Sequence, residues 1–377
     1  MEKAKHSIEL LRRVTSGFQI WGDFVGAVPY GSGHINDTYQ VSMRVAGTTV
    51  RYLLQRVNHA IFKQPDMLME NIVRVTAHLR EKLEQGDGNE ISRQALTVIL
   101  ARDNKPYVRD EDNNWWRLYL FIEAARTYDV ISSDRQAYEA ARSFARFQNL
   151  LSDLPQPRLH ETIPAFHHTV KRLEALDAAM AADVCGRRSE VAAEIAFVEE
   201  RRSQCGRLLE RQASGEIPER ITHNDTKINN VMLDDATGAG ICVIDLDTTM
   251  PGLALYDFGD MVRSATAVTK EDECDLSKVG SRIAMFEALT RGYLAEANFL
   301  LPSETEELVF SGRLITMTIG IRFLTDYLAG DTYFRTSRLG QNLDRCRVQF
   351  KMVGSMEEQS DAMETIVRNV LKSRPKR

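Results

Sequence analysis

The chain has 377 residues, 43% of them hydrophobic and 27% charged, with 48 Lys and Arg against 53 Asp and Glu, for a net charge of −5. Values this ordinary exclude a mostly disordered, collagen-like or disulfide-stapled chain, and the length suggests two lobes. The mild acidity gives no reason to expect a nucleic-acid or anionic-membrane partner.

The opening from Ile8 to Val14 has helical spacing. Strand-like stretches follow at Phe24 to Val28, Asp37 to Val45 and Thr48 to Val57, the last two joined by a turn at Ala46-Gly47. Between the first two lies a glycine-rich turn, Tyr30-Gly31-Ser32-Gly33. Met67, Leu68, Ile72, Val75 and Leu79 recur at helical period, so Pro65 to Leu83 reads as an amphipathic helix with Pro at its start. Leu96 to Arg102 and Trp115 to Ile122 complete five strands. The pattern changes near Glu123. Ser133 to Arg211 is helical or loop, opened by a Ser133–Gln136 capping box. A short strand at Arg220 to Thr222 leads into a polar loop. The hairpin of Val231 to Leu233 and Ile241 to Ile244 follows, and helices dominate from Leu276 to Leu371. The expected fold is α+β in two parts: residues 1–123 as a small antiparallel-sheet lobe, residues 124–377 as a mainly helical lobe carrying the chemistry.

That chemistry concentrates in His223-Asn224-Asp225-Thr226-Lys227-Ile228-Asn229-Asn230 and Ile244-Asp245-Leu246-Asp247. Hard cations such as Mg²⁺ take oxygen ligands, often one or two carboxylates plus substrate phosphates. Phosphoryl transfer asks for that metal, a carboxylate at the attacking hydroxyl and a cover over the phosphates. Asp225 suits the base, while Asn230 and Asp245, at the two ends of a hairpin, suit the metal. The Tyr30, Gly31, Ser32, Gly33 turn suits the cover, because backbone without Cβ atoms can approach phosphates closely.

The spacing H-x-D-x-x-x-x-N followed by I-D-x-D resembles the aminoglycoside phosphotransferase and choline kinase group, relatives of the protein kinases. Longer strings are similar to the bacterial N-acetylhexosamine 1-kinases: Tyr30 to Asn36, Thr222 to Lys227, Ile244 to Thr248, Met250-Pro251-Gly252, Phe258-Gly259-Asp260, and Arg322 through Phe334. The resemblance covers about Phe24 to Met356. It implies a bilobal, protein-kinase-like fold and transfer of one phosphate from ATP, with Mg²⁺, to the anomeric hydroxyl of N-acetylglucosamine or N-acetylgalactosamine. Asp225 would be the catalytic base. Asn230 and Asp245 would hold magnesium, with Asp247 a candidate for a second ion. His34, Asn36, Asp225, Arg322 and Tyr333 would line the sugar site.

Two positions depart from the protein-kinase pattern. Gln55 stands where a strand lysine would hold the phosphates, so Gln55 is the nucleotide candidate there; Arg56 beside it should point to the opposite face. The lysine's usual helix partner, by analogy Glu70, is then in doubt as well. Asp257-Phe258-Gly259 mimics the kinase D-F-G triplet, yet Asp245 closes the hairpin, so Asp257 is expected to support the loop. His167-His168 reads as structural rather than as a metal pair, since sequence neighbours rarely converge on one ion. Alternatives are a kinase for another hydroxyl compound, an aminoglycoside included, and a catalytically dead nucleotide-binding scaffold.

No uninterrupted apolar run approaches the roughly 18 residues of a membrane span, and Met1 to Arg13 lack the apolar segment of a secretory signal. The five cysteines are scattered, none in a CxxC, and read as free thiols of a cytoplasmic protein. The expected partners are ATP and a small sugar, on a monomer or weak dimer.

Overall fold

The structure, a computed structural model, describes residues 6–31, 35–86 and 89–374. Helix α1 (Ile8–Ser16) begins where the Ser7 hydroxyl accepts from the Leu10 N–H, satisfying an otherwise orphaned donor. Strands β1 (Asp23–Pro29), β2 (Asp37–Val45) and β3 (Thr48–Val57) form an antiparallel meander. Its tight turn puts both Ala46 and Gly47 at positive φ, as two-residue hairpin turns require. Helix α2 (Pro65–Glu84) starts with proline, and α3 (Ile91–Gln94) is a single turn. Strands β4 (Val98–Ile99), β5 (Val108–Arg109) and β6 (Trp115–Leu120) complete a six-stranded sheet in the order β1-β2-β3-β6-β4, with β5 also on β6.

The strand expected at Leu96 to Arg102 is realised only in part. The free edge of β6 is shared: β5 pairs with Trp115 and Trp116, β4 with Leu118 and Tyr119. The chain between must loop out, and Ala101 leaves the sheet to bridge Phe18.

Alternation along β3 and β6 sorts the two faces of this sheet. Tyr52, Leu54, Trp116 and Leu118 pack with Leu11, Val14 and Phe18 of the α1 region. Val57 and Tyr119 look the other way, into a larger core that takes in Leu68, Ile72 and Val75 of α2 and runs on through the helical part. Gln55 and Arg117 share this second face, since they are register partners on β3 and β6.

Strand β7 (Ala125–Arg126) already belongs to a second sheet. Helices α4 (Asp134–Leu150), α5 (Thr169–Ala182), α6 (Ala192–Arg201) and α7 (Arg207–Ala213) follow, then β8 (Arg220–Thr222), β9 (Val231–Asp234), β10 (Gly240–Val243) and β11 (Met250–Gly252). β9 is sandwiched between β10 and β7, and β8 pairs with β11. The chain ends in α8 (Ala254–Thr266), α9 (Ile283–Glu296), α10 (Pro302–Thr305), α11 (Leu308–Leu328), α12 (Gln341–Glu358) and α13 (Ser360–Ser373). At the start of α4 the Ser133 hydroxyl accepts from Gln136 N–H, while the Gln136 side chain reaches one residue further back than expected, to Ser132.

Helix α11 is long and apolar enough to cross a membrane by length and composition, with a mean hydropathy of 1.3, but 83% of that stretch is buried inside the protein. It packs against α5, α8 and α12. The contact with α8 is close because Gly259 lacks a side chain: a Cβ there would lie 2.4 Å from the Ser311 carbonyl oxygen. Phe258 beside it is fully buried, a contribution of roughly 1.5–3 kcal/mol. The sheet-bearing first part and the helical remainder thus match the α+β fold expected.

Candidate active site

The centre of the site is the loop from β8 to β9. Asp257, wholly buried near the start of α8, accepts from the backbone N–H of His223 at 2.8 Å and of Asn224 at 2.7 Å, and from the Gln148 amide at 2.7 Å. Burial pushes its carboxyl up to about 7, and the three donors oppose that rise. Asp260, one turn on, accepts from Thr226 N–H at 2.9 Å and pairs with Arg263. Burial alone would raise its pKa; the Arg263 guanidinium holds it below the usual carboxylate value. Two acids of one helix therefore shape the backbone on both sides of Asp225. The D-F-G triplet is accounted for: Asp257 holds the loop, Phe258 fills the core and Gly259 lets α11 approach.

His223 ties the loop to the hairpin. Its Nε2 lies 2.8 Å from the Ile244 carbonyl, which can only accept, so Nε2 carries the proton and Nδ1 accepts from Asp225 N–H. Burial lowers its pKa and keeps the ring neutral. Asn224 adopts positive φ, and its amide donates to the Thr248 and Thr222 carbonyls. Thr248 returns a bond to the His223 carbonyl.

The Asp225 carboxylate emerges from this frame. One oxygen accepts from the Asn230 amide at 3.0 Å, and the other lies 3.1 Å from the Lys227 ammonium. Asn230 spends its Nδ2 on Asp225, leaving its carbonyl oxygen for another partner. Asp245 follows β10 at φ 58°, a left-handed conformation that L-residues rarely hold without structural compulsion. It makes no capping bond and opens onto solvent. The protein crowding around it, with Asp247 and Asp225 nearby, pushes its pKa up to about 7. A carboxylate without a donor among the described residues and repelled by two others fits a hard divalent cation. Among the described residues no group of three or more His, Cys, Asp or Glu forms a metal cluster. Asn230 and Asp245 are residues that could hold an ion completed by phosphate and water.

Asp247 and Asn36 are bonded to each other and to their neighbours. One Asp247 oxygen holds Arg117, and the other accepts from the Asn36 amide at 2.7 Å. The Asn36 carbonyl in turn accepts from Asn58 N–H. Gln55 is committed too, to Thr38 and Arg117. Arg56 turns to the other face and bonds Asp37, and Glu70 bonds His160, as the missing strand lysine implies. Ser32, Gly33 and His34 lie outside the described residues. Their neighbour Gly31 has φ 78°, and Tyr30 sets its ring edge-on to Phe121.

Arg322 stands on α11 with its guanidinium over Phe166, Tyr333 and Phe334 and 3.4 Å from the Tyr333 hydroxyl. It pairs with no carboxylate among the described residues, and burial lowers its pKa. Arg172 is nearby, bonded to the Ala165 and Phe166 carbonyls, with its pKa brought down to about 10 by burial and by Arg322. Among the described residues no hydrogen bond or ion pair joins Arg322 or Tyr333 to Asp225. A groove of about 320 Å³ lined by Gln148, Leu151, Arg158, Glu219 and Pro251 contains none of the residues expected to bind nucleotide, metal or sugar. Lys227 and Arg117 are the residues that sequence reasoning missed. Lys227 had a local signal, a cation two residues from the base; Arg117 had none.

His167 and His168 do not form a metal pair. His168 caps α5 through Nδ1. His167 is buried with Nε2 2.8 Å from the Asn224 carbonyl and Nδ1 without a partner. Burial lowers its pKa from 6.5 to about 4. Between those values the unfolded chain binds a proton that the folded chain does not, so the contribution is full above about 6.5 and is lost as pH falls toward 4. Urea unfolding from pH 7 to 4 should show His167→Gln losing less stability than the parent, by on the order of 3 kcal/mol at the acid end. Parallel losses in both proteins would contradict this.

Comparison with known proteins agrees with the geometry. The sequence matches the APH phosphotransferase enzyme family over residues 26–279. An aminoglycoside phosphotransferase from Alicyclobacillus acidocaldarius superposes with a TM-score of 0.61 at 13% identity, covering 99% of this chain and 98% of that one. A choline kinase from Cryptosporidium parvum gives 0.54 at 14% identity over 92% and 93%. The GDP and kanamycin complex of APH(2")-IIia gives 0.52 at 13% over 96% and 99%. These likenesses concern the fold, and the family match covers more than half of the sequence. The chain belongs to the APH phosphotransferase enzyme family and is a small-molecule phosphotransferase acting on a hydroxyl acceptor.

Proposed function

We propose that this enzyme uses ATP and Mg²⁺ to phosphorylate the anomeric hydroxyl of an N-acetylhexosamine. The observation that carries the phosphotransfer chemistry is the Asp225 carboxylate, steadied by Asn230 and Lys227, near an Asp245 that has no hydrogen-bond donor among the described residues. Bound at Asn230 and Asp245, Mg²⁺ would supply charge neutralisation for the phosphate oxygens. Asp225 accepts the proton of the attacking hydroxyl as its oxygen bonds the γ-phosphorus and the bond to ADP breaks, so that ADP leaves. Asn230 donates to Asp225 and orients it. Lys227 places a second positive charge where negative charge develops.

Arg322 and Tyr333 support the sugar reading. A guanidinium ringed by three aromatic side chains offers rigid donors to a neutral, oxygen-rich ligand and rings to cover its face. The same feature disfavours a cationic acceptor such as an aminoglycoside: Arg322 and Arg172 present two guanidiniums with no carboxylate partner among the described residues. The long sequence strings shared with N-acetylhexosamine 1-kinases point the same way. His34 is proposed to contact the sugar. The intact Asp225, Asn230 and Asp245 argue against a dead scaffold.

Asp225→Asn should lower turnover by about 10²–10⁴-fold while leaving nucleotide affinity nearly unchanged, because shape is kept and the proton acceptor is lost. Turnover like the parent's would remove Asp225 from the base role. The acceptor is tested with the 1-O-methyl glycoside of N-acetylglucosamine. No phosphorylated glycoside should appear by mass spectrometry under conditions that convert the free sugar. Phosphorylation of the glycoside at a rate like the free sugar's would move the reaction to another hydroxyl.

A further inference from the structure

The strand position that carries a phosphate-holding lysine in protein kinases is Gln55 here, yet the cleft face of the sheet is not without a cation. Arg117 is the register partner of Gln55 on the adjacent strand and therefore shares its face. Its side chain is only 1% exposed. Nε donates to the Gln55 amide oxygen at 2.9 Å, and Nη1 donates to Asp247. Nη2 has no hydrogen-bond partner among the described residues. The guanidinium plane is fixed by these two bonds and by the Tyr119 ring, 5.4 Å away. The Gln55 amide nitrogen donates to Thr38 at 3.1 Å, so Gln55 is itself oriented to receive Arg117.

Two features distinguish this cation from an ordinary buried ion pair. Its partner Asp247 lies two residues beyond Asp245, in the same turn. The other Asp247 oxygen accepts from Asn36, which follows the glycine-rich turn. One guanidinium thus touches the strand, the metal hairpin and, through Asp247, the foot of the turn. An arginine with Nε and Nη1 engaged and Nη2 left is preorganised to receive an oxyanion.

We propose that Arg117 replaces the strand lysine as the sheet's phosphate-binding cation: Nη2 donates to the nucleotide's phosphates, while Nη1 holds Asp247 and with it the turn that carries Asp245. This rests on the reading of the chain as a nucleotide-dependent kinase. The acid partner has also moved, from the helix after β3, where Glu70 is engaged with His160, to the hairpin itself.

Nucleotide binding without acceptor tests this, by calorimetry with Mg²⁺-ADP and, in parallel, with adenosine. Arg117→Met alone leaves Asp247 buried and uncompensated, so the decisive variant is Arg117→Met with Asp247→Asn, which removes both charges and keeps the Asn36 bond. Expected is a melting temperature near the parent's, adenosine affinity unchanged and Mg²⁺-ADP affinity lower by on the order of 10- to 100-fold. A folded double variant that binds Mg²⁺-ADP like the parent would overturn the role of Arg117. Equal losses for adenosine and Mg²⁺-ADP with a lowered melting temperature would also overturn it, assigning Arg117 to the fold alone. A parent protein that binds no Mg²⁺-ADP would instead overturn the kinase reading beneath it.

Discussion

A single buried carboxylate sets the shape of the reaction centre. Asp257 takes the N–H groups of His223 and Asn224, two successive donors that no strand partner could satisfy at that bend. Buried backbone donors left alone would cost about 1–3 kcal/mol each. Their satisfaction lets Asn224 sit at positive φ and turns Asp225 outward. The rest follows from that turn. His223 can then reach the Ile244 carbonyl, which fixes the distance between the loop and the end of β10. Asn230 reaches back to both the carbonyl and the carboxylate of Asp225. The loop is held by the protein from behind, so its front is left with unmet groups, Asp245 and one face of Asn230.

The buried pair of Arg117 and Asp247 does corresponding work between the sheet and the hairpin. Such a pair is not by itself strong evidence of stability, because desolvation of two charges offsets much of their attraction. Its value here is positional. Both oxygens of Asp247 are used, by residues from two different strand neighbourhoods, so the turn after β10 has little freedom. Asp245 is held in a left-handed conformation at the start of that turn, with neighbours that resist its ionisation. Strain and unmet charge are concentrated where a cation and phosphates would relieve them.

Much of this was legible in the sequence because it is local. The hairpin turn, the proline at the start of α2, the cap of α4 and the spacing from Asp225 to Asn230 are all set by residues a few positions apart. Asp257 could be read as a loop support rather than a metal ligand because Asp245 already closed the hairpin. Arg117 was invisible: its partners lie 62 and 130 residues away, and an arginine in an apolar strand carries no pattern of its own. The bond between Asn36 and Asp247 was not legible either, because a motif shows which residues recur together, not which of them touch. The strand near Leu96 was overdrawn because an apolar run does not reveal that its edge is shared with β5.

The central claim is that Asp257, from behind, imposes the conformation that presents Asp225. Amide hydrogen exchange in Asp257→Ala measures it directly. The His223 and Asn224 amides should lose most of their protection, whereas Thr226, held by Asp260, and the amides of β2 and β3 should keep theirs. Unchanged protection at His223 and Asn224 would show that the loop holds its shape without that carboxylate and would contradict the account.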